Sequence, residues 1–202
     1  MKTIKKQLIT TLLASTLTIF AATATATTIN VPAGATVSGP LNAATTVTIG
    51  ANATVTGDVS AGTTVTMGAG AVVTGYVYAL TTVTTGADSL VCGNIDAVTV
   101  TLGAGAGTAG DLTATTATTG AGAFVDGNLA ATTATLGAGA CYGGSTGGFT
   151  TLTLGAGAVD FCPATVRSAC LAPTHSSDGH GNGTLDGSDH HLVNGEGTAH
   201  TH

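Results

Sequence analysis

Apolar and polar residues alternate along most of this chain with the period of two that is typical of β-strands. Between Thr46 and Ala61, one parity holds apolar side chains, while the other holds threonine, asparagine, aspartate and serine. The apolar set is Val47, Ile49, Ala51, Ala53, Val55, Val59 and Ala61. No helical period competes with this alternation. The pattern therefore predicts strands with one buried side.

The alternating pattern recurs every 17 or 18 residues. A Gly-Ala step marks each unit, at Gly50, Gly68, Gly86, Gly103, Gly120, Gly137 and Gly155. A second glycine follows seven residues after six of these, at Gly57, Gly75, Gly93, Gly110, Gly127 and Gly144. A unit of this length fits one coil of a three-sided parallel β-helix, or β-solenoid, with glycines at the corners. We predict about eight coils within residues 27–161, of either handedness.

The inward positions beside the first glycine are small. Alanine follows that glycine in every coil, and a second alanine or serine stands two residues later. The first set is Ala51, Ala69, Ala87, Ala104, Ala121, Ala138 and Ala156. We expect both sets to point inward and to form a narrow core that the stacked coils bury continuously.

Two outward positions hold threonine in all seven registered coils, four and two residues before the first glycine. The pairs are Thr46/Thr48, Thr64/Thr66, Thr82/Thr84, Thr99/Thr101, Thr116/Thr118, Thr133/Thr135 and Thr151/Thr153. Other outward positions vary: eight residues after the glycine stand Asp58, Tyr76, Asn94, Asp111, Asn128 and Ser145. Bulky outward side chains mark a further contact patch, namely Tyr76, Tyr78, Leu90 and Phe124.

The fixed threonine pairs have two explanations. Stacked threonines can stabilise neighbouring strands, at roughly 0.2–1 kcal/mol for each cross-strand pair. Alternatively, their methyls and hydroxyls form a flat, uncharged grid, about 7 Å by 4.8 Å in its repeat, on which ordered water can bind. The Thr-x-Thr ladder resembles that of the antifreeze, or ice-binding, β-solenoids. This resemblance implies adsorption to an ice surface through the fourteen threonines, without catalysis or a cofactor.

A second resemblance rests on the glycine spacing. The stretch "VTIGANATVTGDVSAGTTVTMGAGAVVTGYV" resembles the bactofilins, a family of polymer-forming β-helices, over roughly residues 31–130. It implies a structural or filament-forming protein, which is the alternative to ice binding. The same stretch can be divided into hexapeptides like those of β-helix acyltransferases, but the coils contain no histidine to serve as a catalytic base. We therefore expect no enzymatic activity.

Residues 1–26 have the features of a secretory signal peptide, with Lys2, Lys5 and Lys6 before an apolar stretch that ends at Ala24-Thr25-Ala26. Removal of this segment leaves Arg167 against ten acidic residues, a net charge of −9 with neutral histidines. Such a chain is a poor match for nucleic-acid phosphates and for anionic membranes. A secreted protein is predicted, monomeric if the coil ends are closed, with self-association as the alternative.

Four cysteines in an exported chain predict disulfides: Cys92, Cys141, Cys162 and Cys170. The proximity of Cys141, Cys162 and Cys170 predicts a covalently closed C-terminal end. Three connectivities are possible, and a free Cys92 is one alternative.

Residues 162–202 are predicted to form a cysteine-containing cap followed by a flexible tail rich in glycine, aspartate and histidine. Residues 178–189 loosely match a calcium-binding loop, with Asp178, His180, Asn182 and Asp189 as candidate ligand positions. His180 and Asp189 depart from the usual ligand types. A solvated tail without bound metal is therefore the main prediction, with Ca²⁺ as the alternative.

Overall fold

The computed structural model describes residues 26–159 together with Cys162 and Cys170. The chain winds into a solenoid in which every strand pairing is parallel and joins one coil to the next. The first and last strands of the stack are separated by about seven turns. The predicted all-β fold, a parallel β-helix, is therefore confirmed.

The strands of the described residues are short because each coil turns three corners. In chain order they are β1 (Ala26–Val31), β2 (Thr36–Ser38), β3 (Leu41–Ile49), β4 (Thr54–Thr56), β5 (Val59–Ala61), β6 (Thr64–Met67), β7 (Val72–Val73), β8 (Val77–Ala79), β9 (Thr82–Thr85), β10 (Leu90–Val91), β11 (Ile95–Leu102), β12 (Gly107–Thr108), β13 (Leu112–Thr119), β14 (Phe124–Val125), β15 (Leu129–Leu136), β16 (Cys141–Tyr142), β17 (Thr146–Gly147) and β18 (Thr151–Leu154).

Three faces surround the core. We call them the threonine face, the second face and the third face, in the order in which the chain passes through them. The second face is a seven-stranded sheet of β2, β4, β7, β10, β12, β14 and β16. An eleven-stranded sheet bends around one corner and supplies the other two. The threonine face consists of β1, β6, β9, β18 and the later halves of β3, β11, β13 and β15. The third face consists of β5, β8, β17 and the earlier halves of those four strands.

The core is a set of aliphatic columns that run along the solenoid axis. Val47, Val65, Val83 and Val100 stack in one column and are fully buried. Threonine enters a neighbouring column at Thr85 and Thr119, both buried. Their hydroxyls accept hydrogen bonds from backbone N–H groups of the next coil, at 3.3 Å for Gly103 and 3.1 Å for Gly137. These polar side chains are therefore satisfied inside the core.

The alanines that follow the first glycine do not line the core, so that part of the sequence prediction is wrong. Ala69, Ala87, Ala104, Ala121, Ala138 and Ala156 are exposed, and Ala51 is half-buried. The next residue has positive φ in every coil, for example 56° at Asn52, 55° at Asp88 and 66° at Gly122. A tight turn at this corner interrupts the alternation, so only the second small residue, such as Ala53 or Ala71, points inward.

The two glycine columns lie where successive coils approach most closely. A Cβ on Gly103 would lie 2.5 Å from the carbonyl carbon of Gly86, and one on Gly127 would lie 2.7 Å from that of Gly110. In the first coil these two columns begin at Pro32 and Gly39. A Cβ on Gly50 would meet the backbone at Pro32, and a Cβ on Gly57 would meet the backbone at Gly39. Glycine is therefore required at these corners by contact between coils rather than by backbone conformation alone.

The difference between 17- and 18-residue coils lies at the corner between the third face and the threonine face. Tyr78 pairs with Asp96, and Thr82 pairs with Thr99. The coil that contains Tyr78 and Thr82 therefore has one more residue between these two positions than the next coil has between Asp96 and Thr99. Strands β11, β13 and β15 run through the corner without a break in the shorter coils. In three of the longer coils the strand is divided there, into β5 and β6, β8 and β9, or β17 and β18, whereas β3 has the same extra residue and is continuous.

Two disulfides join Cys162 and Cys170 to the outer side of the second face. Cys141 bonds to Cys162 and Cys92 bonds to Cys170, with Cα separations of 5.0 and 5.2 Å. Cys162 is buried, with its Sγ 3.6 Å from the carbonyl oxygen of Val125. The prediction of disulfides is confirmed, and Cys92, whose state the sequence left open, is bonded.

Several sequence predictions lie outside the described residues. They are the signal peptide at 1–26, apart from its last residue, and the tail with Asp178, His180, Asn182 and Asp189. The domain boundaries at residues 27, 161 and 162 therefore remain predictions. Within the described residues, no helix is long and apolar enough to cross a membrane.

Candidate interaction surfaces

The structure places the fourteen predicted threonines on one face in two straight ladders. One ladder passes through Thr46, Thr64, Thr82, Thr99, Thr116, Thr133 and Thr151, and the other through Thr48, Thr66, Thr84, Thr101, Thr118, Thr135 and Thr153. Thr28 and Asn30 extend the ladders by one coil, since they pair with Thr46 and Thr48. Threonine thus stacks on threonine along seven coils of this face, the arrangement in which cross-strand pairs stabilise parallel strands.

A second ladder of side chains was missed from the sequence. It lies eight residues after the first glycine, where Asp58, Asn94, Asp111 and Asn128 each turn a side-chain oxygen toward the next coil. Their Oδ1 atoms accept hydrogen bonds from the N–H groups of Tyr76, Asp111, Asn128 and Ser145 at 2.9, 2.9, 2.7 and 2.9 Å. The signal was present in the sequence, because most residues of this column carry a short side chain with an acceptor oxygen.

This ladder predicts a specific effect on stability. We expect Asp111→Ala to lower the free energy of unfolding by about 1 kcal/mol, because it removes the acceptor for both the N–H and the Nδ2 of Asn128. Asp111→Asn should have almost no effect, since asparagine keeps Oδ1 and occupies the same column at Asn94. Urea unfolding of the two variants measures the difference. Equal losses in both would mean that the carboxylate charge, rather than the hydrogen bond, is what matters.

The C-terminal end of the stack exposes apolar side chains that are buried in earlier coils. Leu152 stacks on Ala134 and Leu154 on Leu136, both of which are buried. Leu152 is 38% exposed and Leu154 is 53% exposed. Val159, further along the same coil, is also exposed. Among the described residues, β18 pairs with β15 alone, so one edge of this strand is open.

An exposed aromatic and aliphatic cluster interrupts the polar surface of the third face. We call it the tyrosine patch, and it consists of Tyr76, Tyr78, Leu80 and Val98. The other two bulky residues predicted to be outward, Leu90 and Phe124, lie on the second face and are half-buried. The predicted contact surface is thus concentrated on the third face.

The described residues offer no arrangement typical of a catalytic or metal centre. No three potential metal ligands of the histidine, cysteine, aspartate and glutamate types come together in that part of the chain. Its carboxylates are Asp58, Asp88, Asp96, Asp111 and Asp126, and three of them, Asp58, Asp88 and Asp96, are exposed.

Comparison with known families decides between the two resemblances. Residues 27–130 match the family model described as "Bactofilin: Polymer-forming cytoskeletal". The chain belongs to the bactofilin family. No curated protein and no solved structure gives a significant match. The bactofilin match spans six of the eight strands of the threonine face and includes most of the turns that carry the two glycine columns.

Membership of the bactofilins overturns the prediction of an ice-binding protein. The family is described by polymer formation, and nothing in the match concerns ice. The prediction was wrong because a threonine that recurs in every coil can serve the sheet itself as well as an external ligand. In the structure the same threonines are direct cross-strand partners from coil to coil, and such pairs stabilise a parallel sheet.

Proposed function

We propose that this bactofilin is an exported structural protein that assembles end to end into filaments. The observation that carries the proposal is the exposure of three apolar side chains at the C-terminal end of the described solenoid, Leu152, Leu154 and Val159. Its family is described as polymer-forming and cytoskeletal, which supports a structural rather than an enzymatic role. Self-association, the alternative to a monomer in the sequence analysis, is therefore the better interpretation.

The chemistry of the end favours contact with another copy. In every earlier coil, the columns that end at Leu152 and Leu154 are covered by the next coil, for example at Val100 and Leu102. A second copy stacked on β18 would bury these leucines and pair its open backbone edge. An exposed edge strand with apolar side chains is a template for such pairing, and burial of each leucine side chain stabilises the contact by up to about 2 kcal/mol.

The proposed location outside the cytoplasm rests on two observations. The first is the signal-like segment at residues 1–26, and the second is that all four cysteines are paired. Disulfides persist mainly in oxidising compartments, so a filament stabilised in this way suits the periplasm or the cell surface better than the cytoplasm.

Electron microscopy and analytical ultracentrifugation of the purified chain test the proposal. We expect filaments one solenoid wide, with an amount of polymer that rises above a threshold protein concentration. The disulfides should be intact under the same conditions. A chain that stays monomeric at all accessible concentrations in non-reducing buffer would contradict the proposed assembly. Recovery of the chain only from the cytoplasm, with free thiols, would contradict the proposed export.

A further inference from the structure

The tyrosine patch lies away from the coil ends, so end-to-end assembly does not account for it. Tyr76 and Tyr78 are successive outward residues of one coil and are 57% and 42% exposed. Leu80 stands two residues further on and Val98 in the next coil, and both are exposed. An exposed cluster of this kind marks a contact surface more often than a solvated one.

Carboxylates surround the two tyrosines on both sides. Asp58 lies in the preceding coil, and its Oδ1 accepts the N–H of Tyr76 at 2.9 Å. Asp96 pairs directly with Tyr78 in the following coil. Asp111 lies one coil further, next to Asn94 in the ladder. Three of the five carboxylates of the described residues thus stand in the same two columns as the tyrosines, within two coils of them.

No positive charge offsets these carboxylates in the described part of the chain, which contains no lysine, arginine or histidine. Among the described residues the charge near the third face is therefore entirely negative, which disfavours an anionic ligand there. A second copy of the same face would be repelled as well, because its carboxylates would meet these. Charge complementarity favours a cationic partner, whose guanidinium or ammonium groups can stack on tyrosine rings and pair with the flanking carboxylates.

We propose that the tyrosine patch is a docking site for a basic, arginine- or lysine-containing peptide segment of another protein. Tyr76 and Tyr78 provide stacking surfaces for two cationic side chains about 7 Å apart. Asp58 and Asp96 supply the counter-charges on either side, and Leu80 with Val98 contacts the aliphatic parts of the bound side chains. On a filament the site would recur once per copy, so a partner with several basic segments would bind more tightly.

Other coils carry different residues at the positions of the two tyrosines. These residues can replace the tyrosines and remove the site without disturbing the fold. Asparagine replaces Tyr76 at position 94, and serine replaces Tyr78 at position 60. The double variant Tyr76→Asn/Tyr78→Ser therefore deletes both rings with side chains that the solenoid already accepts. Asp96→Asn removes one flanking charge. Asp88→Asn is the matched control, because it makes the same charge change at a different corner, where Asn52 occupies the equivalent turn position.

Tyrosine fluorescence provides a direct readout, since the chain has no tryptophan and two of its three tyrosines are in the patch. The probe is a blocked octapeptide of alternating arginine and glycine, titrated into the purified full chain, with calorimetry as a second measurement. We expect saturable binding that weakens with added salt. The double tyrosine variant should raise Kd about tenfold and Asp96→Asn about threefold. Asp88→Asn should change it little.

Several results would overturn the docking site. One is absence of binding to the arginine peptide, or equal binding of a serine-glycine octapeptide. Another is an equal effect of Asp88→Asn and Asp96→Asn, which would reduce the interaction to net charge. Tyrosine-dependent binding of cellohexaose without binding of the peptide would assign the patch to a neutral glycan instead. Assembly into filaments is measured separately, so its failure and the failure of this site can be distinguished.

Discussion

Replacement of Gly103 by alanine is expected to lower the free energy of unfolding by about 3 kcal/mol, a large part of the stability of a small domain. The new Cβ would lie 2.5, 2.6 and 2.7 Å from the backbone C and O of Gly86 and the N of Ala87. These atoms belong to the adjoining coil and cannot rotate away, so the coils must separate at this corner. Circular dichroism during urea unfolding measures the loss.

Substitutions at two other glycines distinguish the cost of steric contact between coils from the cost of backbone strain. Gly122 has a φ of 66° and nothing within 4 Å of its added Cβ, so Gly122→Ala should cost only about 1 kcal/mol. Gly122→Asn should cost less, since Asn52 adopts the same conformation. Gly147 has neither constraint, and Gly147→Ala should be neutral. If Gly103→Ala proves as mild as Gly147→Ala, close contact between coils is not the reason for the glycine column.

Leu154→Asp is expected to prevent filament formation at concentrations where the unaltered chain assembles, while leaving the solenoid folded. In an end-to-end contact this side chain would be buried against another copy, and a carboxylate there would lose its hydration without gaining a partner. The lost apolar burial adds to this cost. Together they should raise the concentration needed for assembly about a hundredfold, since each 1.4 kcal/mol is a factor of ten. Sedimentation and electron microscopy measure the shift.

Leu80→Asp is the matched control for this experiment. Leu80 is 58% exposed, close to the 53% of Leu154, but it lies on the side of the solenoid. The two variants therefore make the same chemical change and the same change in net charge. Filaments should persist in Leu80→Asp and disappear in Leu154→Asp. Persistence in both would exclude the C-terminal end as the contact, and loss in both would point to general charge repulsion.

The fold was predictable from the sequence because two simple signals agree. Alternation fixed which side of each strand is buried, and the glycine spacing fixed the coil length. The alternation failed at Ala51 and its equivalents. There the following residue adopts positive φ, and a period of two cannot be extended through a tight turn. The sequence does contain a marker for this turn, because asparagine, aspartate or glycine stands at the position in every coil.

The candidate surfaces were less predictable, for physical reasons. Thr101 can serve a sheet or an external ligand with the same methyl and hydroxyl, so its repetition alone does not tell which. The role of Asp111 depends on a backbone N–H that lies 17 residues away in the chain and close in space. Exposure of Leu154 depends on whether another coil covers it in three dimensions. Each of these three features depends on how the coils stack, and the alternation along one strand carries no information about that stacking.

The corner between the third face and the threonine face is the place where the length of a coil can change during evolution. An added residue there, as at the junction of Leu80 and Thr81, leaves the strands on both sides in their original parity. The same addition inside a strand would move every later side chain of that strand to the opposite face of the sheet. Gains and losses of single codons are thus tolerated at one point in each turn, and coil length can drift there while the ladders are inherited intact.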